Sequence, residues 1–401
     1  MLNKISLTIL IVLVIFTNQA IAQEQVGTDN TFEAVTWNIE WLGTSGQGPS
    51  NESLQLANAA FIMSILNADF YALQEIRDQD TLDDLISALN GSPGISTTYT
   101  GFVAPHVGCC QRMAFVYNTE TVTLRNLGGV TQGQSEFAWA GRIPFFLEFD
   151  ATINGITRTI YSVNIHAKAF ADQSSYNRRV EAAGDLYDFF VDETGSDAIL
   201  FLGDYNDDVD VSTFNENTTP YIDFAGDFRN FRILSKVLSD QKRASTVNGS
   251  EMIDHITVSD ELFEDIVEDD GILIHDPREY INNYGNTTSD HFPIVSIFSF
   301  QLATSNDTDT EIPREVELFQ NYPNPFNPST TIEFLLNSPQ QVTLTVYNTN
   351  GQEITRLIQN QRLSSGRHSV NLDASNLSSG VYFYQLSTDA ITLTRSLTLI
   401  K

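Results

Sequence analysis

Oxygen-rich and imidazole side chains recur in this chain at the ends of short apolar runs. Trp37-Asn38 closes the first run, Gln74-Glu75 closes the second, and His166 follows Ser162 to Ile165. Ile199 to Leu202 opens into Gly203-Asp204-Tyr205-Asn206, Asp254-His255 interrupts Met252 to Val258, and Asp290-His291 immediately precedes Pro293 to Phe300. Carboxylates and amides gathered at one sheet edge are hard oxygen ligands for Mg²⁺, Mn²⁺ or Ca²⁺. Two histidines among them supply a general base and a general acid. Hydrolysis of a phosphate ester uses all of these: a Lewis acid on the phosphoryl oxygens, an activated water and a proton donor for the leaving oxygen. Taken singly, each residue has a bland reading, since Gly-Asp-x-Asn is a common turn. The set is informative because independent turns have no reason to alternate with strands in this order.

The elements that must position these groups are legible as periodicity. Phe32 to Ile39, Phe70 to Leu73, Met113 to Tyr117, Thr157 to Ile165, Ala198 to Leu202, Met252 to Val258 and Pro293 to Phe300 are rich in Val, Ile, Phe or Tyr and read as strands. Leu54 to Leu66 and Tyr176 to Val191 read as helices, the second with Val180, Ala183, Leu186 and Phe190 on an apolar stripe. Strands dominate with helices interspersed, which predicts helices layered on sheets.

The motifs resemble those of the endonuclease/exonuclease/phosphatase superfamily, and within it the secreted deoxyribonucleases. Leu73-Gln74-Glu75-Ile76-Arg77-Asp78 is similar to the metal-binding glutamate motif, Leu202-Gly203-Asp204-Tyr205-Asn206 to the Gly-Asp-Phe-Asn motif, and Ser289-Asp290-His291-Phe292-Pro293 to the terminal Ser-Asp-His motif. Thr36-Trp37-Asn38, Asn164-Ile165-His166 and Ile253-Asp254-His255 match the first motif, the central histidine and its orienting aspartate, and Gly141-Arg142 resembles a phosphate-contacting arginine. The resemblance covers about 270 residues in the family's order. It implies a four-layer α/β sandwich. It also implies that Glu75 and Asn38 bind a Mg²⁺ or Mn²⁺ ion with Asp290 nearby, Ca²⁺ being an accessory ion. By the same resemblance His291 takes a proton from the attacking water, His166 donates to the leaving oxygen or stabilises the pentacovalent phosphate, Asp204 and Asn206 orient water and phosphate, and Asp254 fixes a histidine tautomer. Arg77 and Arg142 would contact substrate phosphate. In an extended segment Arg77 should point to the same side as Glu75.

One position departs from the pattern. Where a glutamate paired to the terminal histidine is expected, the chain reads Cys110-Gln111-Arg112-Met113. A neutral Gln111 would raise a histidine's pKa less than a carboxylate does. A sugar-stacking tyrosine is also missing nearby, with Cys109 or Cys110 in its place, which bears on a preference for duplex DNA more than on hydrolysis.

Composition sets the compartment and the partners. The net charge of -30 and pI near 4.3 argue against non-specific adhesion to polyanions, so nucleic acid must be held by a few placed cations and a metal. Met1 to Ala22 has a lysine, an apolar run from Ile5 to Phe16 and a small-residue cleavage site at Ala20-Ile21-Ala22, the pattern of a signal peptide. That run is short for a membrane span. Cys109 and Cys110 are adjacent, so a disulfide between them would be strained and close almost no loop.

These features divide the chain into a signal peptide (1–22), a catalytic domain (31–301), a linker of Asn, Asp, Thr and Ser (302–316) and a small all-β domain (317–401). In the last, Thr330 to Leu336, Val342 to Tyr347, Val370 to Leu372, Val381 to Leu386 and Thr392 to Ile400 alternate as strands of an immunoglobulin-like sandwich. Asn321-Tyr322-Pro323-Asn324-Pro325-Phe326-Asn327-Pro328, with Leu377-Ser378-Ser379-Gly380-Val381-Tyr382, resembles the type IX secretion sorting domain. The resemblance implies passage across an outer membrane by the type IX machinery and delivery to the surface or medium. No G-x-S-x-G, P-loop or H-E-x-x-H occurs. The expectation is a monomeric, exported, metal-dependent phosphodiesterase acting on DNA or, next, RNA. A phospholipase C-like or small-molecule phosphodiesterase of the same fold is the first alternative, and a silent surface-binding module the second.

Overall fold

A computed structural model of the chain describes residues 26–108, 111–193, 198–267, 271–301 and most of 316–401. The signal-peptide and linker expectations and the state of Cys109 and Cys110 lie outside the described residues. The chain divides after residue 302 into two compact units.

Among its described residues the first unit holds twelve strands: β1 (Phe32–Leu42), β2 (Phe70–Ile76), β3 (Tyr99–Val103), β4 (Arg112–Asn118), β5 (Val122–Gly129), β6 (Phe145–Ile153), β7 (Ile156–His166), β8 (Ala198–Asp204), β9 (Phe231–Ile233), β10 (Asp254–Ser259), β11 (Ile272–Ile274) and β12 (Ile294–Phe298). Helices α1 (Glu52–Leu66), α2 (Gln79–Asn90), α3 (Gln173–Glu193) and the short α4 (Ile222–Gly226) intervene. The strands form two six-stranded sheets, ordered β11-β12-β1-β2-β4-β3 and β5-β6-β7-β8-β10-β9. Only β1–β2 and β7–β8 pair in parallel among these neighbours, and both pairs run toward the same end of the sandwich as the site.

Alternation sorts each strand's side chains between two cores. Phe32, Ala34, Phe70, Ala72, Phe115, Phe149, Leu200, Leu202 and Ile256 from both sheets share one buried cluster, so the sheets pack face to face. Val35, Trp37, Tyr71 and Leu73 point the other way, into α1 and α2. Val163, Ile165, Ile199 and Phe201 point into α3 and α4. The result is the four-layer α/β sandwich. Each such buried aliphatic or aromatic side chain contributes roughly 1.5–3 kcal/mol over its exposed state.

The seven strands expected in this unit are present with small shifts at their ends, whereas β3, β5, β6, β9, β11 and α2 were not anticipated. Val180 is a correction: it is exposed, while Ala183, Leu186 and Phe190 are buried as the stripe requires. The buried face of α3 runs through Ser175, Arg179, Ala182, Ala183, Leu186 and Phe190, so Arg179 and not Val180 occupies it.

The second unit is a sandwich of two antiparallel sheets. One contains β13 (Val316–Leu318), β14 (Ser329–Leu336) and β17 (Gly366–Asp373), and the other contains β15 (Gln340–Asn348), β16 (Glu353–Leu363), β18 (Gly380–Thr388) and β19 (Thr392–Leu399). Ile332, Phe334, Leu344, Val346, Tyr384 and Leu397 bury one shared core. Two strands, β13 and β16, were not expected from the sequence.

Candidate active site

The same alternation that fills the inter-sheet core places the polar residues at its end. On β1, Phe32 and Ala34 face the opposing sheet, and Asn38 continues that series by steps of two. On β8 the series is Leu200, Leu202, Asp204, and on β10 it is Asp254, Ile256, Val258. His166 and Asp204 are register partners on neighbouring strands, as are Asp204 and Asp254. A layer of amides closes the core beneath them. Gln74 Nε2 donates to Asn164 Oδ1 across the sheets at 2.8 Å, and Asn164 Nδ2 donates to the carbonyls of Leu73 and Ala114 at 3.0 Å each.

Glu75 reaches the site by breaking alternation. By strand periodicity it belongs on the helix-facing side with Leu73, but its φ is +64° and the register shifts on both sides of it. Such a bulge re-aims one side chain at a cost held by its surroundings. β1 bends similarly, with φ of +33° at Glu40 and +58° at Trp41. Trp41 N–H then donates to Glu75 Oε2 at 2.9 Å. Gln55 of α1 fixes this bend by donating from Nε2 to the carbonyls of Ile39, Glu40 and Thr288 at 2.8–3.0 Å. Gly203 makes a third such adjustment. Its φ is +147°, and a Cβ there would lie 2.2 Å from the Ile165 carbonyl oxygen, so β7 and β8 can close up just before Asp204 only with glycine.

The assembled cluster is dense. Asn38 Nδ2 donates to Glu75 Oε1 at 3.3 Å and to Asp204 Oδ2 at 3.0 Å, while its Oδ1 accepts from Glu40 N–H at 3.0 Å. His166 Nε2 lies 3.6 Å from the same two carboxylate oxygens. Asp204 Oδ1 accepts from Asn206 N–H at 2.9 Å, and Asn206 Nδ2 donates to the Ala167 carbonyl at 3.1 Å. His291 Nδ1 is 2.8 Å from Asp254 Oδ2, and its Nε2 is 3.9 Å from Asp290 Oδ1. Ser289 anchors this last motif: its hydroxyl donates to the Asn38 carbonyl at 2.7 Å and accepts from His291 N–H at 3.0 Å.

Electrostatics separate the two histidines. Burial, then the charges of Arg142 and His291, hold His166 well below the ordinary imidazole range, so it is neutral at rest. Burial also opposes charge on His291, but Asp254, Asp204 and Asp290 outweigh it and hold His291 well above that range. Burial and the neighbouring Asp254 push Asp204 up to about 7. Burial raises Glu75 as well, against the Asn38 hydrogen bond.

Glu40 was not singled out from the sequence. Burial, Asp290 and Glu75 push it up to about 7, and its Oε2 is buried without a hydrogen bond. Its signal was its place two residues beyond Asn38, on the strand that ends in the site. Glu40, Glu75 and Asp290 are therefore mutually repelling carboxylates short of positive charge, and a divalent cation fits them. Asp204, Asp254 and His291 also bring potential ligand atoms within 4.8 Å of one another. Asp254 is there by its register with Asp204 and by its hydrogen bond to His291, which a cation bound through those same two atoms would replace. Asn38 presents its NH₂ to both carboxylates and its oxygen to a backbone N–H, so in this arrangement it orients Glu75 instead of offering a ligand oxygen.

Three further expectations change. Arg77 does not share a side with Glu75, because the left-handed backbone at Glu75 ends the extended segment on which that depended. Its guanidinium binds Asp78 at 2.7 Å and the Gly43 carbonyl, and Asp78 in turn caps α2 through Thr81 N–H. Arg142 is at the site, but it holds backbone: it donates to the carbonyls of His166 at 2.9 Å and Ala167 at 2.7 Å, and to Gln111 Oε1 at 2.8 Å. Two of its five N–H donors remain for an anion. Gln111 does not face His291, whose partner is Asp254. Its Nε2 donates to Glu75 Oε1 at 3.1 Å, linking Arg142 to the glutamate.

Comparison with known proteins identifies the second unit. Residues 320–400 match the secretion system C-terminal sorting domain. The sorting domain marks the chain for type IX secretion, to the cell surface or beyond it. No helix among the described residues is long and apolar enough to cross a membrane. No curated protein matches the chain in sequence. Among solved structures, a humanized TDP2 of D. rerio is 13% identical and covers 68% of this chain and 100% of its own, with a TM-score of 0.47. The human Nocturnin catalytic domain with bound sulfate is 17% identical over 68% of this chain and 94% of its own, with a TM-score of 0.47. An endonuclease/exonuclease/phosphatase from Bacteroides vulgatus is 12% identical over 68% of this chain and 99% of its own, with a TM-score of 0.46.

Proposed function

We propose that the first unit is a divalent-cation-dependent phosphodiesterase whose substrate is nucleic acid, DNA before RNA, and that it works after export. The reading rests on one juxtaposition. A carboxylate cluster short of positive charge adjoins two buried histidines whose pKa values are driven apart, and such a pair is the signature of an acid–base couple.

Glu75 would hold the cation, with Glu40 and Asp290 beside it and Asn38 and Gln111 fixing the glutamate's rotamer. When bound, the ion supplies Lewis-acid polarisation of a phosphoryl oxygen. Asp254 accepts from His291 Nδ1, which leaves Nε2 as the working nitrogen toward a water. Positive charge near Glu75 and Asp204 would offset the carboxylates that now hold the proton on His291, bringing it toward a range where it can take one from water. Asp204, anchored by Asn206 N–H, lines the same space and keeps that water oriented. His166, neutral at rest with Nε2 3.6 Å from Glu75 and Asp204 and its carbonyl held by Arg142, would donate a hydrogen bond to the developing charge on phosphate.

The test is a substrate panel of plasmid, RNA, sphingomyelin and a model phosphodiester, run on the purified chain with Mg²⁺ or Mn²⁺ and with chelator. Cation-dependent cleavage of nucleic acid is expected. Full activity in chelator would remove the cation from the mechanism, and cleavage of sphingomyelin alone would favour the lipid-active alternative.

A further inference from the structure

The loop following His166 carries a feature that the proposed chemistry does not use. Phe170 is 72% exposed and adopts φ of +83°, a conformation that a bulky aromatic residue rarely occupies. Nothing in the hydrophobic core calls for it there. The loop is held in place by Arg179, which is fully buried. Its Nε donates to Asp207 at 2.9 Å, and its Nη1 donates to the carbonyls of Lys168 at 2.7 Å and Phe170 at 2.9 Å. An exposed ring on a strained backbone is thus fixed by a buried ion pair, which is how a binding group is kept in one orientation.

A second exposed ring is held by Arg178, the residue next to Arg179 on α3. Phe137 is 67% exposed, although its neighbours Ala138 and Trp139 are fully buried. Each ring is accompanied by a cation: Lys168 Nζ lies 4.3 Å from the Phe170 centroid, and the Arg178 guanidinium lies 4.3 Å from that of Phe137. Arg178 also donates to the Phe137 carbonyl, which ties this loop to α3. Burial, then the charges of Arg178 and Arg142, lower the Lys168 pKa, which places these cations within electrostatic range of one another. Arg142 joins them to the catalytic cluster through the carbonyls of His166 and Ala167.

We infer that Phe170 and Phe137, with Lys168 and Arg178, form a binding rim for single-stranded nucleic acid, the rings stacking unpaired bases and the cations meeting the flanking phosphates. Aromatic rings interleaved with cations are what a flexible strand requires, since every base offers a π-face and every linkage a charge. A lipid surface fits less well. Ala138 and Trp139 beside Phe137 are buried and each ring is paired with a cation, so neither loop presents the run of exposed large apolar residues that a membrane wedge needs. The inference deepens the phosphodiesterase reading by naming the strand state of its substrate.

The experiment uses the full chain in chelator, where binding is read without turnover. Fluorescence anisotropy is measured with a labelled single-stranded oligodeoxynucleotide, with the duplex of the same sequence, and by co-sedimentation with phosphatidylcholine/phosphatidylserine vesicles. Phe170→Ala should raise the single-strand Kd about tenfold, toward the low end of what losing one base stack costs. Phe170→Trp should restore it, and the melting temperature should not move. Lys168→Ala should flatten the dependence of log Kd on log salt by about 0.7, one single-strand phosphate contact. Unchanged single-strand affinity in Phe170→Ala, an equal loss on duplex, or a loss confined to vesicles would each overturn the inference. Turnover of bis(4-nitrophenyl) phosphate by the wild-type chain with Mg²⁺ or Mn²⁺ reports separately on the phosphodiesterase reading, so failure of either can be told from failure of the other.

Discussion

His291 Nδ1 and Asp254 Oδ2 lie 2.8 Å apart, joining residues 37 positions distant in the chain and leaving the imidazole Nε2 directed toward Asp290. Asp254 is fully buried, and its second oxygen has no hydrogen-bond partner in the structure. A buried carboxylate of this kind fixes the tautomer and favours the imidazolium. Asp254→Asn should therefore lower kcat by roughly 10²–10⁴-fold, the range of a lost acid–base contribution. The His291 pKa, followed by NMR, should fall toward its ordinary value. Unchanged turnover together with an unchanged His291 titration would show that the pair is structural.

Glu75 is held by Asn38, Gln111 and Trp41 N–H, and all three donors expect an anion. Glu75→Gln should lower turnover on the order of 100-fold or more, since Lewis-acid stabilisation is worth several kcal/mol. Calorimetric titration with Mn²⁺ should show weakened binding, and Glu40→Gln should weaken it by about ten- to a hundredfold. Wild-type Mn²⁺ affinity in Glu75→Gln would place the cation elsewhere, with the Asp204, Asp254 and His291 group as the next position.

Stability should depend on pH with a definite sign. Asp204 and Glu40 are pushed up to about 7 and Glu33 to about 8, so the folded chain holds protons that the unfolded chain has released. Their contribution is present below the ordinary carboxylate range and is lost as pH rises through 7 to 8. The buried histidines His166 and His255 have depressed pKa values and act in the opposite direction, but only below about pH 6.5, where an unfolded imidazole is protonated. In chelator the melting temperature should thus fall from pH 6.5 to 8.5, and added Mg²⁺ should recover more of it at 8.5 than at 6.5. A melting temperature that rises over this interval in chelator would contradict the assigned directions.

Arg77 and Arg142 should behave differently on substitution. Arg77→Ala removes an exposed pair with Asp78, worth about 0–1 kcal/mol, and should leave KM and salt dependence on DNA unchanged. Arg142→Ala removes donors to two carbonyls and to Gln111, and should cost about 2–3 kcal/mol of stability while raising KM. Thermal melts and steady-state kinetics on the two variants separate these outcomes. A raised KM in Arg77→Ala with normal stability would restore it as a phosphate contact.

Much of this molecule was decided by sequence-local physics. Alternation along Phe32 to Ile39, Ala198 to Leu202 and Met252 to Val258 specifies strands and which residues share a face, because side chains on a strand repeat every two positions. It therefore also brings Asn38, Asp204 and Asp254 to the end of one face. The motif order and the sorting-domain pattern were equally legible, since each is written in contiguous residues. β5 and α2 are harder to see: β5 is mostly half-buried or exposed and lacks a clean apolar run, and α2 opens with Gln79, Asp80 and Thr81. What the sequence did not determine is where periodicity is broken and what each donor then meets. The positive φ at Glu75 and Glu40 turns Glu75 into the site and Arg77 out of it, and it depends on Gln55, Trp41 and the neighbouring strands. Gln111 meeting Glu75 instead of His291, and Arg142 holding the carbonyls of His166 and Ala167, are contacts among residues far apart in the chain. Only the packed sandwich, which must satisfy every buried polar group at once, selects those partners.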